Sequence, residues 1–377
     1  MKLAIVSLMS GVPWGGSEEL WAAAAGEALR REWSVEALLP EWPTVPEKVQ
    51  ALVNRGMRLN RWPKFDPKLT ARIANKLRGN SLLALVQKND ADLLMISLGS
   101  AWDIAGYPQL CDHLRSTKLP YVLVVQHNHE TPLQAWTRKR TDGVFEKAAS
   151  VVFVSETNRR SAERQLASPI PNAIVLQNPV NLASFEPVPR LPCGRAAFAC
   201  VARLEVWAKA QDVLFEAFAA PEWASREWRL TLVGEGPDRD YLVKLAAMYG
   251  LANRVIFAGQ QRDMRAAWAE QEMLVLPSRS EGTPLALVEA QIAGRPAVVT
   301  DVGDSARWVT EGETGFVADA ATAASFGRAL GRAWNRREEW AAMGDAARER
   351  TMARIDRTPG VTLLNHAVAA CGFDSGN

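Results

Sequence analysis

The chain has 377 residues, 48% of them hydrophobic and 23% charged, with a formal net charge of only +2. That composition excludes a disordered chain and a concentrated basic nucleic-acid binder. At roughly 100–200 residues per domain the length implies two domains, and no stretch reaches the roughly 18 consecutive apolar residues of a membrane span.

The first ten residues carry one lysine and a short apolar run without a signal-type cleavage region. A strand over residues 3–7 accounts for them, and a cytoplasmic protein is the expectation. Further short, β-branched runs follow at 34–39, 93–97, 121–125, 150–154 and 173–176. Helical spacing separates them, for example at 18–30 and 141–148. After a proline-rich break from Asn178 to Gly194 the same rhythm returns. The second set of strands is expected at 197–201, 229–233, 255–258, 273–277 and 296–299. Helices are expected at 210–218, 241–249, 262–270 and 285–293.

Strand–helix alternation of this kind predicts parallel sheets covered on both faces. The fold class is therefore α/β, with two doubly wound Rossmann-like domains facing across a cleft. The expected divisions are residues 1–180, a linker at 181–194, residues 195–355, and a segment 356–377 that packs back toward the first domain. Ligands of such sheets bind outside the C-terminal strand ends, so the loops after strands are where chemistry belongs.

Residues 273–290 carry the strongest signal of this type. A buried strand runs into the loop Ser278–Gly282, with Thr283 suited to a helix N-cap and Pro284 to the first helical position. Amides near Leu285 and Ala286 then face an anion. Glu281 in the loop and Glu289 in the helix suit sugar hydroxyls, because a carboxylate accepts two hydroxyl protons side by side. Two glutamates eight residues apart are common by chance, so the strand, glycine and cap carry the reading. In residues 199–214, Arg203 ends a strand and Lys209 precedes a helix, where two cations could neutralise a diphosphate. The alternative for either alone is a surface cation.

Together these segments resemble the retaining glycosyltransferases of family 4, which have the GT-B architecture. The resemblance covers nearly the whole chain. It rests on Gly15-Gly16-Ser17-Glu18, His127, Asn178-Pro179-Val180, Val201 to Leu204 with Lys209, Gly234 to Pro237, Phe257-Ala258-Gly259, and Ser280 to Pro284 with Glu289-Ala290. It implies a glycosyltransferase that moves a sugar from a nucleotide diphosphate sugar to a hydroxyl acceptor in glycan, glycolipid or glycoconjugate synthesis. Arg203 and Lys209 would bind the diphosphate, Glu281 the donor sugar and Glu289 the ribose. Gly282 to Leu285 would offer amides, Pro284 having none. Gly16 would let backbone approach phosphate or acceptor, and His127 would lie near the reactive side of the sugar. Base contacts are expected around Gln261 and Arg262.

Two departures stand out: Val302-Gly303-Asp304-Ser305-Ala306-Arg307 where the family often has Gly-Gly and a nearby glutamate, and Ala210 after Lys209 where glycine is usual. Related readings are a nucleotide-sugar epimerase or a non-catalytic sugar-nucleotide-binding subunit.

No metal site or cofactor is expected. Cys111, Cys193, Cys200 and Cys371 lack zinc-ligand spacing and read as reduced, mostly buried thiols. His127-Asn128-His129 lacks a convincing partner set. Asp90-Ala91-Asp92 precedes a strand and so lies at the wrong sheet edge for chemistry. The basic stretch 55–78, with Trp62 and Phe65 interleaved, reads either as a patch for peripheral membrane contact or as a solvated face. No nucleic-acid partner is expected.

Overall fold

A computed structural model describes residues 1–9, 11–63, 81–191 and 194–373. The chain forms two compact units: residues 1–179 with 356–377, and residues 180–355.

The first unit is built on seven parallel strands. They are β1 (Lys2–Ser7), β2 (Ser34–Pro40), β3 (Arg58–Trp62), β4 (Leu93–Leu98), β5 (Tyr121–Val125), β6 (Ser150–Phe153) and β7 (Ala173–Val175). Their order across the sheet is β3-β2-β1-β4-β5-β6-β7. The apolar runs are unbroken because both faces are covered. In β1, Leu3 and Ile5 enter one core and Ala4 and Val6 the other.

Two helices on one face lock the C-terminal segment to this unit. Pro359–Ala370 packs along Gly16–Arg30. A Cβ on Gly360 would stand 2.5 Å from the Ala23 Cβ, so only glycine permits this approach.

The second unit repeats the plan with β8 (Ala196–Val201), β9 (Trp228–Val233), β10 (Val255–Gly259), β11 (Met273–Leu276), β12 (Ala297–Thr300) and β13 (Gly315–Ala318). All pairs are parallel, in the order β10-β9-β8-β11-β12-β13. Residues expected as a linker belong to this unit's packing. Val188 is buried in its core, and the fully buried guanidinium of Arg295 donates to the carbonyls of Val188, Pro189, Trp268, Gln271 and Ala293.

Every strand expected from the sequence is present, and β3 and β13 are additional. Residues 58–62 of the basic stretch form the edge strand β3. Trp62 is buried at 3% exposure against Tyr107, and Arg58 stands 3.5 Å from Glu36. Lys64, Phe65, Lys68, Arg72, Lys76 and Arg78 lie outside the described residues, as does Cys193. Among the described residues no helix is long and apolar enough to cross a membrane.

One expected helix is broken. Residues 141–148 divide into Ala135–Thr141 and Val144–Lys147 around Gly143, whose φ is 72°. The helix expected at 210–218 forms as Gln211–Phe218, preceded across Ala210, at φ 54°, by the short helix Val206–Lys209. The left-handed backbone at Ala210 is a conformation glycine adopts without steric cost.

Candidate active site

The carboxyl edge of the second sheet gathers most of the candidate residues. β11 ends at Leu276, and the loop beyond it leads to the helix Leu285–Ile292. Pro284, not Thr283, is the residue that caps this helix, with φ −71° and ψ 109°. The ring of Pro284 fixes φ alone; its ψ is extended, so the first helical turn begins one residue later than the spacing suggests. The Leu287 and Val288 amides reach back to the Pro284 carbonyl. Those of Leu285 and Ala286 stay outside the helical ladder, as the first turn of any helix requires.

Lys209 closes the short helix Val206–Lys209 after β8. Its Nζ lies 2.6 Å from Glu281 Oε1, with the glutamate side chain only 8% exposed. The same Oε1 accepts the Ser278 hydroxyl at 2.7 Å. Glu281 therefore uses one oxygen for both internal partners. Behind the pair lies Cys200, whose thiol burial pushes up to about 12.

Backbone contacts fix the two segments to each other. Amides of Arg279 and Ser280 both donate to the Ala208 carbonyl, at 2.8 and 3.2 Å. The Arg279 guanidinium reaches the Val206 carbonyl at 2.7 Å and grips Asp212 with two bonds of 2.9 and 2.7 Å. From the next loop, Asp238 accepts the Val206 amide at 2.7 Å. Gly234 and Gly236 let that loop press on the Arg203 turn. A Cβ on either would lie 2.1 or 2.2 Å from the carbonyl oxygen of Ala202 or Leu204. Arg203 itself is part-exposed, 3.5 Å from Glu205.

A further support comes from the departure noted at 302–307. Gly303 adopts φ 55° and runs directly against the loop, so an added Cβ would sit 2.2 Å from the Gly282 oxygen. The Asp304 amide donates to that same oxygen at 2.9 Å. Ser278, Asp238, Arg279 and Gly303 are thus parts of the site that sequence reasoning missed. Their common signal is position, since each follows a strand end.

Glu289 lies on the inner face of the helix, 5% exposed, and its Oε1 accepts the Asn181 amide at 2.8 Å. Gln261 and Arg262 follow β10 at the sheet margin, with two strand positions separating β10 from β8. The Gln261 amide donates to the Ala258 carbonyl at 2.6 Å.

Gly16 and His127 stand in the first unit. Gly16 opens the Gly16–Arg30 helix directly after the glycine turn. His127 follows β5, and its ring meets that of His129 edge-on at 4.4 Å. Burial holds the His129 imidazole below its ordinary pKa. Gln165 anchors this loop by donating to the His129 and Thr131 carbonyls at 2.6 Å each. Asp90 and Asp92 are bound to Lys2 at the opposite edge of the sheet. Among the described residues no three His, Cys, Asp or Glu side chains gather as metal ligands.

Two doubly wound parallel units, with a capped helix and a Lys–Glu pair at the second sheet's carboxyl edge, define the class as a GT-B glycosyltransferase fold. Residues 195–336 match the family model of glycosyl transferases group 1, so the second unit carries a domain of that kind. Over 93 residues the chain is 39% identical to the Vi polysaccharide biosynthesis protein VipC/TviE of Salmonella typhi, covering 25% of this chain and 16% of that protein. The chain spans less than a third of the length of this and similar short-range relatives. A longer match, 26% identical over 359 residues and 89% of each chain, is the GDP-mannose-dependent alpha-(1-6)-phosphatidylinositol monomannoside mannosyltransferase of Mycolicibacterium smegmatis. Anabaena Alr3699/HepE, crystallised with UDP, has the same fold at TM-score 0.73 and 18% identity, over 99% of this chain and 100% of that one.

Proposed function

We propose that this chain is a retaining family 4 glycosyltransferase that moves a sugar from a nucleotide diphosphate sugar to a hydroxyl acceptor, in the synthesis of a glycan or glycoconjugate. The observation that carries the reading is the Lys209–Glu281 pair beside the open amides of Leu285 and Ala286. An ammonium has three protons. One serves Glu281, leaving others for a phosphate oxygen. Glu281 directs Oε1 to Lys209 and Ser278, which leaves Oε2 for the hydroxyls of the donor sugar.

Charge develops on the diphosphate as the sugar departs. Lys209, Arg203 and the helix amides would stabilise that charge with fixed dipoles and cations, without a call on a metal ion. Glu289 would hold the ribose. The relatives whose names mention UDP or GDP-mannose support a nucleotide sugar as donor. Among the described residues Glu281, the carboxylate nearest the proposed donor sugar, is tied to Lys209 and Ser278, which favours same-face substitution assisted by the leaving phosphate.

The test is a thermal-shift screen against a panel of UDP-, GDP-, ADP- and dTDP-sugars, since a ligand that binds only the folded state raises the melting temperature. The stabilising donor is then used in transfer assays with the Lys209→Ala and Glu281→Ala variants. Transfer that survives both changes nearly intact sinks the site assignment. A new sugar nucleotide formed from donor alone would favour an epimerase.

A further inference from the structure

The helix Glu156–Leu166 turns a polar stripe inward. Its buried residues are Asn158, Ser161, Ala162 and Gln165, spaced three and four apart, where an apolar stripe is the rule. Gln165 is 8% exposed, and its amide uses both its donors and both its acceptor positions. The Oε1 accepts from Trp102 Nε1 at 2.9 Å and from Asn128 Nδ2 at 2.8 Å, and the Nε2 donates to the His129 and Thr131 carbonyls at 2.6 Å each. These partners fix the orientation of the amide, because an indole N–H only donates and a carbonyl only accepts.

Three of the four bonds reach one short stretch, residues 128–131, directly after His127. They also explain the form of the His-Asn-His run. Asn128 is buried at 2% exposure, while the flanking histidines are part-exposed and their rings meet. Neighbours in extended backbone face opposite ways, so Asn128 anchors the run from inside and the two imidazoles share the other side. The His127 carbonyl is itself held by the Ala101 amide at 3.0 Å. Without the Gln165 amide, the Asn128 side chain is left with a 3.5 Å contact to the Asn158 carbonyl, and its Oδ1 already lacks a partner among the described residues. Buried polar groups in that state are costly, so the stretch would move until water reached them.

We propose that Gln165 is a positioning residue: by holding residues 128–131 it sets where His127 presents its imidazole beyond the carboxyl end of β5. That His127 serves sugar transfer rests on the reading above. That Gln165 holds the stretch does not.

The experiment pairs a spectrum with a rate, both on the full chain. The chain has four histidines, so the imidazole signals of histidine-labelled protein are few enough to follow one by one through a pH titration. Gln165→Met keeps the length and none of the bonds. Gln165→Glu keeps the two accepted bonds and loses the two donated ones. In both variants the His127 and His129 signals are expected to shift, and the His129 titration, lowered by burial in the parent, to rise toward its ordinary range. The His113 and His366 signals should stay in place. With the donor that stabilises the parent, kcat should fall by about 10- to 100-fold, the scale of a group displaced near reacting atoms, and donor affinity should stay within about threefold, since the diphosphate and ribose contacts belong to the second unit. Melting curves report the fold, and either variant carries the test alone should the other fold poorly. Unmoved His127 and His129 signals overturn the proposal. So does a kcat that is unchanged in the Gln165 variants but lost in His127→Ala. A kcat unchanged in His127→Ala as well overturns instead the transfer role given to His127.

Discussion

Lys209 Nζ and Glu281 Oε1 stand 2.6 Å apart on two segments that share no strand or helix, one following β8 and the other β11. Those two strands are neighbours in the sheet although 72 residues separate the side chains in sequence. The pair is largely shielded from water, so removing one member leaves the other poorly compensated. Lys209→Ala is expected to lower kcat by about 100- to 1000-fold, the usual effect of deleting a donor to a developing charge. Glu281→Gln should lower it less, because the amide still accepts from Ser278. The double variant should be better than the product of the two single losses, since the residues act as a unit. Additive losses would show that each works alone.

Gly303 supports the loop without reaching a ligand. Gly303→Ala places a methyl 2.2 Å from the Gly282 oxygen at a φ of 55° that alanine adopts at a cost. The loop carrying Glu281 and Gly282 must then shift. Donor affinity measured by titration should fall at least tenfold, while the first unit's spectroscopic signature stays as in the parent chain. Unchanged affinity would show that the loop tolerates displacement.

Arg295 is a buried cation held by five backbone carbonyls and no carboxylate bond. Burial lowers its pKa to about 10, so it remains charged at neutral pH. Arg295→Met fills similar space but orphans those carbonyls, each of which needs a partner. Urea unfolding should show a loss of roughly 3–5 kcal/mol in the second unit's transition, in the range seen when a buried polar network is broken. A change within experimental error would mean that water takes over the bonds.

Burial raises the Glu18 carboxyl from 4.5 to about 7, against the opposing hydrogen bonds of Trp21 and Ser7. Between those values the folded chain holds a proton that the unfolded chain has released. The stabilising contribution is therefore complete below about pH 4.5, falls as pH rises through 7, and is absent above it. Glu18→Gln removes the titration. Its melting temperature should change less than that of the parent between pH 5 and 8, a window set by the two pKa values. Parallel melting curves for the two proteins across that range would contradict this.

Sequence patterning reached far in this protein because both sheets are parallel and covered. A buried strand such as Leu93–Leu98 must be apolar at every position, which makes it visible as an unbroken run. β3 was hidden because it is an edge strand. Its Arg58 and Arg61 are exposed, Leu59 is only partly buried, and Trp62 is its one fully buried residue. β13 was hidden by its brevity, four residues opening on a glycine at φ 156°. The break at Ala210 could not be read either, since nothing in alanine announces a left-handed backbone.

What the amino-acid order determined was the inventory: two runs of strand and helix, a capped helix after β11, and cations after β8. Local chemistry suffices for these, because periodicity, caps and prolines act over a few residues. Tertiary structure alone decided which groups meet. The order β10-β9-β8-β11-β12-β13 places β8 beside β11, and so brings Lys209 to Glu281. It also gave Ser278, Asp238 and Gly303 their roles, and showed Glu289 accepting the Asn181 amide. A hydrogen bond forms within about 3 Å in space, and separation along the chain says nothing about that distance until the sheet has been assembled.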